Sequence, residues 1–178
     1  MATYKMKIAG LDRELKRFAV SDKLDIAAFI LFGDVEVTVA AAKELLEKVP
    51  EFDIILTPEA KSIPLAYEMA RQSAKPYVVA RKGVKVYMED PISVEVKSIT
   101  TGNVQKLFLG KDECEAIAGK RILIVDDVIS TGESLEAVRM LVKSAGGNEV
   151  CACAVLAEGD AADRKDIVLL EKLPLFFK

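Results

Sequence analysis

Two adjacent carboxylates, Asp126 and Asp127, end the apolar run "RILIVDD", and a short loop of hydroxyl residues around one glycine follows at once: Ser130, Thr131, Gly132, Glu133, Ser134. Like charges repel and carboxylates resist burial, so a pair at the end of a buried run calls for a compensating partner. A loop that opens a helix presents unpaired N–H groups and the positive end of the helix dipole, which suit an anion. Gly132 lets the backbone approach closely, and Ser130, Thr131 and Ser134 add hydroxyl donors. A plainer reading has Ser130 and Glu133 as a capping box. The helix behind it buries Leu135, Val138, Leu141, Val142 and Ala145, and Gly146-Gly147 stops it. That reading accounts for the hydroxyls and the glycine but leaves the two acids without a reason.

Taken together, the loop suits a phosphate and the carboxylates suit a pair of vicinal hydroxyls just upstream. A phosphate and a diol at that separation describe a ribose 5-phosphate. The spacings G-x-x-x-x-G-K and G-x-G-x-x-G are absent from this stretch.

The elements that must position these groups follow from hydrophobic patterning. "FDIILT" (52–57), "YVVAR" (77–81), "RILIVDD" (121–127) and "EVCACAVLAE" (149–158) read as buried strands. Helical patterns lie between them, over about 35–48, 60–73 and 132–145. Strand–helix alternation predicts a mainly parallel sheet with right-handed crossovers, and ligands then sit outside the carboxyl ends of the strands. The loops after Thr57, Arg81 and Asp127 are expected to share one crevice. Residues 1–34 precede the regular alternation and read as a small flap. Residues 82–109, which hold Gly83, Pro91 and Gly102, alternate weakly and read as an antiparallel arm above the sheet, a place for a lid.

Composition narrows the function classes. With 178 residues, half of them apolar, the chain suits one compact domain. A net charge of −3 argues against non-specific nucleic-acid binding, which needs a basic face. The absence of histidine excludes His-based triads and imidazole acid–base chemistry. Cys114, Cys151 and Cys153 form an odd set without a paired framework, as expected of reduced cytoplasmic thiols. No signal peptide or membrane-spanning segment is expected.

The stretch "ILIVDDVISTGES" resembles the signature of the type I phosphoribosyltransferases, which bind phosphoribosyl pyrophosphate (PRPP). The resemblance implies that Asp126 and Asp127 face the ribose hydroxyls and act in catalysis, and that Ile129, Ser130, Thr131, Gly132, Glu133 and Ser134 cradle the 5-phosphate. "TPEAKSIPLAYEMAR", taken alone, is an ordinary strand–helix turn with Pro58 as breaker and Lys61 as a solvated charge. Beside the first motif it is similar to the pyrophosphate loop of the adenine and xanthine branch. There Glu59, Ala60, Lys61 and Ser62 wrap the pyrophosphate, with a strained or cis peptide, and Lys61 acts as a point charge on the leaving group. Arg81 and Lys82, otherwise a solvated basic pair, reach the pyrophosphate in that reading and anchor the arm, and residues 83–104 become its flexible loop.

"AAFILFGDVEVTVAAAKELL" resembles the hood of adenine phosphoribosyltransferases: Phe32 and Asp34 match a Phe-Arg-Asp pattern, with Gly33 at the arginine place. Phe32 is the implied base-binding residue, with Phe29 and Phe108 as further aromatic candidates. Thr100 and Thr101 stand where that branch often carries a glutamate in the arm. The resemblance implies an α/β fold with a central, mainly parallel twisted sheet flanked by helices, a small N-terminal hood and a flexible antiparallel arm. It implies a glycosyltransferase that makes a nucleoside 5′-monophosphate and pyrophosphate from PRPP and a free purine base. Adenine is the first choice of base and a 6-oxopurine, xanthine above hypoxanthine or guanine, the second. Mg²⁺ is the implied cofactor, reaching the site through PRPP and touching Asp126 or Asp127, and a homodimer is the expected assembly. A PRPP-sensing regulator of the same fold is the rival. Such regulators usually carry an added DNA-binding domain, for which this length leaves no room.

Overall fold

The computed structural model describes residues 2–97 and 104–178. The chain opens with three antiparallel strands, β1 (Thr3–Ile8), β2 (Leu11–Ser21) and β3 (Leu24–Ala27). Their residues alternate between solvent and core, so that Tyr4, Met6 and Ile8 turn inward while Lys5 and Lys7 stay wet. Helix α1 (Val35–Lys48) follows, and Asp34 caps it by accepting the Val37 N–H at 3.1 Å. Arg13 of β2 locks that cap with a fork onto Asp34, at 2.7 and 3.0 Å, so the hood and the start of α1 are tied together.

Next come β4 (Ile54–Pro58), α2 (Ile63–Ser73) and β5 (Tyr77–Ala80). An antiparallel hairpin follows, with β6 (Ile92–Lys97) and β7 (Val104–Leu109) as its arms. After the short α3 (Lys111–Ile117) come β8 (Arg121–Ile129), α4 (Glu133–Ser144), β9 (Asn148–Glu158), a 3₁₀ turn over Gly159–Asp163 and β10 (Val168–Leu173). The tail closes as β11 (Phe176–Phe177) on the edge of β3, completing a four-stranded sheet. Phe176 lies edge-on to Tyr4 at 5.2 Å and beneath the Arg17 guanidinium at 3.9 Å. Phe177 stays exposed.

The central sheet has the order β10-β9-β8-β4-β5 and is parallel throughout. Both of its faces are covered, so its strands read as continuous apolar runs. Alternate residues serve opposite cores. Ile55, Leu123, Val125, Cys153 and Val155 face α1, α2 and the hood. Ile54, Leu56, Ile122, Ile124 and Ala154 face α4, α3 and the hairpin. The chain leaves β4 toward β5 and returns on its other side as β8, so the direction of winding reverses between β4 and β8. A crevice opens there at the carboxyl ends.

The expected strands and helices are all present within a few residues. The expected flap is a regular three-stranded unit, and the expected arm is the hairpin, with Thr100, Thr101 and Gly102 outside the described residues. The capping box is not formed as read. Helix α4 begins at Glu133, and its N-cap is Gly132 in the left-handed region at φ +80°, not Ser130. Among the described residues no helix is long and apolar enough to cross a membrane, and the three cysteines are unpaired.

Candidate active site

The β4–β8 crevice is a cleft of about 300 Å³. One wall is the loop Pro58–Ser62, which leads into the N-terminus of α2. The other carries Asp126, Asp127 and Val128 at the end of β8, with Ser130 and Ser134 at the start of α4. Lys82 and Leu107 close the side toward the hairpin. Two helix N-termini thus point into one space, with a pair of carboxylates between them. Each can receive an anion, and the acids between them can accept hydroxyls.

Buried hydroxyls set the geometry of the floor. Thr57, fully buried at the end of β4, donates to the Val125 carbonyl at 2.8 Å and lies 2.8 Å from Ser62 Oγ. Ser62, equally buried, donates to the Pro58 carbonyl at 3.1 Å. These bonds hold the first loop against β8. The peptide between Glu59 and Ala60 is cis, at the place the family resemblance names. Glu59 is tied to the end of β5: its Oε2 accepts the Lys82 N–H at 2.9 Å and its Oε1 lies 3.4 Å from Arg81 Nη2. The Lys82 N–H, then the Arg81 charge, hold its carboxyl below the ordinary range. The Arg81 backbone pairs in both directions with Phe108, which fastens the hairpin to the end of β5.

The two aspartates differ. Asp126 is partly exposed and its Oδ1 accepts the Asp127 N–H at 2.9 Å. Burial of the carboxyl in the cleft floor and the charge of Asp127 push Asp126 up to about 8, against a smaller pull from the Asp127 N–H and the Ser62 hydroxyl. Asp127 is buried, and its Oδ2 has no hydrogen-bond partner among the described residues. Lys61 Nζ stands 3.5 Å from that oxygen. That ion pair is the contact this buried oxygen makes on the cleft side.

The sequence-expected residues divide in two. Glu59, Ala60, Lys61, Ser62, Lys82, Asp126, Asp127, Ser130 and Ser134 line the cleft together. Ile129, Thr131, Gly132, Glu133 and Arg81 are not among its lining residues, and the Ile129 side chain is buried in the core over α4. Phe32 is exposed just before α1 and lines no part of this cleft. Phe29 is buried. Sequence reasoning passed over Glu158 at the carboxyl end of β9. Burial raises its carboxyl above the ordinary range, and the Lys61 charge opposes that rise. The rule that ligands gather at strand ends applies to β9 as it does to β8 and would have marked it.

A model of the phosphoribosyl transferase domain matches residues 35–173, most of the chain. The chain belongs to that family. It is a type I phosphoribosyltransferase of the purine branch. It is 35% identical over 129 residues to the adenine phosphoribosyltransferase of Thermotoga petrophila, covering 66% of this chain and 69% of that protein. It is 30% identical over 115 residues to the purine biosynthesis transcriptional repressor PurR of Bacillus subtilis, covering 65% of this chain but 39% of the repressor. The fold of the crystallised adenine phosphoribosyltransferase of Thermoanaerobacter pseudethanolicus superposes with a TM-score of 0.75 at 23% identity, over 89% of this chain and 95% of that one.

Proposed function

We propose that this phosphoribosyltransferase joins a free purine, adenine first, to PRPP and releases a nucleoside 5′-monophosphate and pyrophosphate. The observation that carries the proposal is the cleft itself, with two helix N-termini facing each other across a carboxylate pair. PRPP has the matching order of groups: a phosphate, a diol and a pyrophosphate.

In this reading the α4 loop receives the 5-phosphate and Asp126 and Asp127 accept the ribose 2- and 3-hydroxyls. The Pro58–Ser62 loop with Lys61 and Lys82 receives the pyrophosphate. Lys61 then exchanges Asp127 for the leaving group. As the C1–oxygen bond lengthens, negative charge builds on the pyrophosphate and positive charge on the ribose ring. Lys61, Lys82 and the α2 N-terminus stabilise the first, and Asp127 the second. The base nitrogen is the nucleophile, so the chain's part is orientation and charge placement, and histidine is not needed. The hairpin is proposed to close over the reacting centre and keep water from the ribosyl cation. Phe32 is proposed to meet the base at the hood.

The donor set fits Mg²⁺ brought in by PRPP. No group of three or more acidic, cysteine or histidine side chains forms a cage among the described residues. An ion held chiefly by phosphates needs only one or two carboxylates, and Asp127 Oδ2 is unbonded. Bound there, Mg²⁺ would neutralise charge on the pyrophosphate. A homodimer in a reducing, cytoplasmic setting completes the proposal. Exposed Ile30, Phe32 and Val35 and the unpaired thiols support it.

Incubation with Mg²⁺, PRPP and a panel of purines tests the proposal by pyrophosphate release and by the monophosphate formed. One base is expected to dominate by orders of magnitude, because a site matched to the adenine amino group leaves a polar group unpaired against an oxopurine carbonyl. Dominance of xanthine would move the choice of base to the oxopurines, which the absence of arginine at Gly33 favours. PRPP binding without pyrophosphate release would favour the second reading, a PRPP sensor, which the similarity to the Bacillus repressor supports.

A further inference from the structure

Beyond β9 the chain turns through Gly159–Asp163 and delivers Arg164 to the start of α4. Asp166 grips its guanidinium as a fork, Nε to Oδ1 at 2.9 Å and Nη2 to Oδ2 at 2.6 Å, which fixes its plane. The third nitrogen, Nη1, faces Gly132. A Cβ built on Gly132 would stand 2.6 Å from it. Gly132 is required by its φ of +80°, and the guanidinium packs where a Cβ would stand.

This places a fixed cation at the positive end of a helix, where the dipole opposes it. Glu136, 3.5 Å from Nη2, and Asp166 offset part of that cost. Arg139 draws on the same two acids, at 2.8 and 2.9 Å. A phosphate dianion on the loop would turn the opposition into attraction, since the dipole and the guanidinium would then act on it with the same sign.

We infer that Arg164 is a positioning residue for the 5-phosphate. It holds the Gly132 backbone in the shape that directs the α4 N–H groups at the ligand, and it adds a cation behind them. The inference rests on the reading of the α4 loop as the 5-phosphate site. It concerns one end of PRPP only, because Arg164 belongs to the α4 wall and the pyrophosphate loop lies across the cleft.

The full chain, titrated by calorimetry with D-ribose 5-phosphate and separately with Mg²⁺-pyrophosphate, tests it. Arg164→Met keeps the stem and removes the charge. It should weaken ribose 5-phosphate about tenfold and leave pyrophosphate within about twofold, the size expected for loss of one charge-assisted interaction. Arg164→Lys keeps the charge without the fork, should lose less, and keeps the test open if the Met variant folds poorly. Unchanged ribose 5-phosphate binding in both variants, or equal weakening of both ligands, would overturn the role of Arg164 while leaving the cleft reading intact. Failure of the unaltered protein to bind ribose 5-phosphate would overturn the cleft reading and this inference with it.

Discussion

Asp126→Asn should make the protein more stable and less active at once. The Asp126 carboxyl rises from 3.8 to about 8 on folding, because the cleft floor desolvates it and Asp127 crowds it. Between those values the unfolded chain has released the proton and the folded chain still holds it. Stability from this group is thus full below about pH 4 and is lost as pH rises toward 8. At about 1.36 kcal/mol per pH unit the upper bound is about 6 kcal/mol. The cleft is open to water, and Lys61 and Lys82 line it, so about 2 kcal/mol at pH 8 is the expected gain from removing the charge. For a chain of this size that is about 4–8 °C in melting temperature. Asparagine can still accept the Asp127 N–H through its own Oδ1, so the local backbone bond survives. The assay is a pair of thermal melts at pH 4.5 and pH 8 with turnover measured on the same samples. The variant should gain on the unaltered protein as pH rises and lose about a hundredfold in kcat/KM through the ribose hydroxyls. A variant that melts lower at pH 8, or one that turns over normally, would refute the reasoning.

Three further outcomes follow from the same structure. Lys61→Ala should cut kcat/KM by about tenfold or more with little change in melting temperature, since Lys61 is largely exposed and its 3.5 Å pairing with Asp127 is only one role; wild-type kinetics would return it to a solvated charge. Asp34→Ala should cost about 1–2 kcal/mol in chemical denaturation, because it removes both the α1 cap and the Arg13 fork, and a stability unchanged within about 0.5 kcal/mol would show that the hood does not depend on this tie. Cleavage near Lys85 under limited proteolysis should slow on addition of PRPP and base; equal rates with and without ligand would count against the hairpin as a lid.

The parts of the fold that were legible are those where one physical rule acts alone. Strands β4, β8 and β9 are covered on both faces, so each is an unbroken apolar run that flanking turns delimit. Strand β10 sits at an edge, and Glu171 and Lys172 break its run, so it lacks that signal. Helix α3 is seven residues long and only Ile117 of it is buried, too little for a helical stripe. The hood strands carried a readable signal, the alternation in "TYKMKI", and pair in local hairpins, but the edge partner of β3 is β11, some 150 residues away in sequence. At the site, Asp126 and Asp127 were legible because no packing rule explains adjacent carboxylates at the end of a buried strand.

The α4 loop shows where two rules compete for the same residues. Ser130 and Glu133 have the spacing of a capping box, and as an isolated peptide the stretch would favour that closure. A capping box ties the N-cap side chain to the N3 N–H and the N3 side chain to the N-cap N–H, and so withdraws those two donors from any ligand. In the folded chain Gly132 takes the N-cap position in a left-handed conformation, which no hydroxyl side chain can cap from within, and Ser130 and Ser134 line the cleft instead. The local energy given up at the cap is about 1 kcal/mol for a Ser or Thr. Such a trade is stable only if neighbouring structure enforces it. The Asp166-held guanidinium of Arg164 lies against Gly132 from 32 residues downstream, and it is the neighbour proposed above to hold this shape. That distance is why the loop's shape could not be read from the loop's own residues, although its chemistry could.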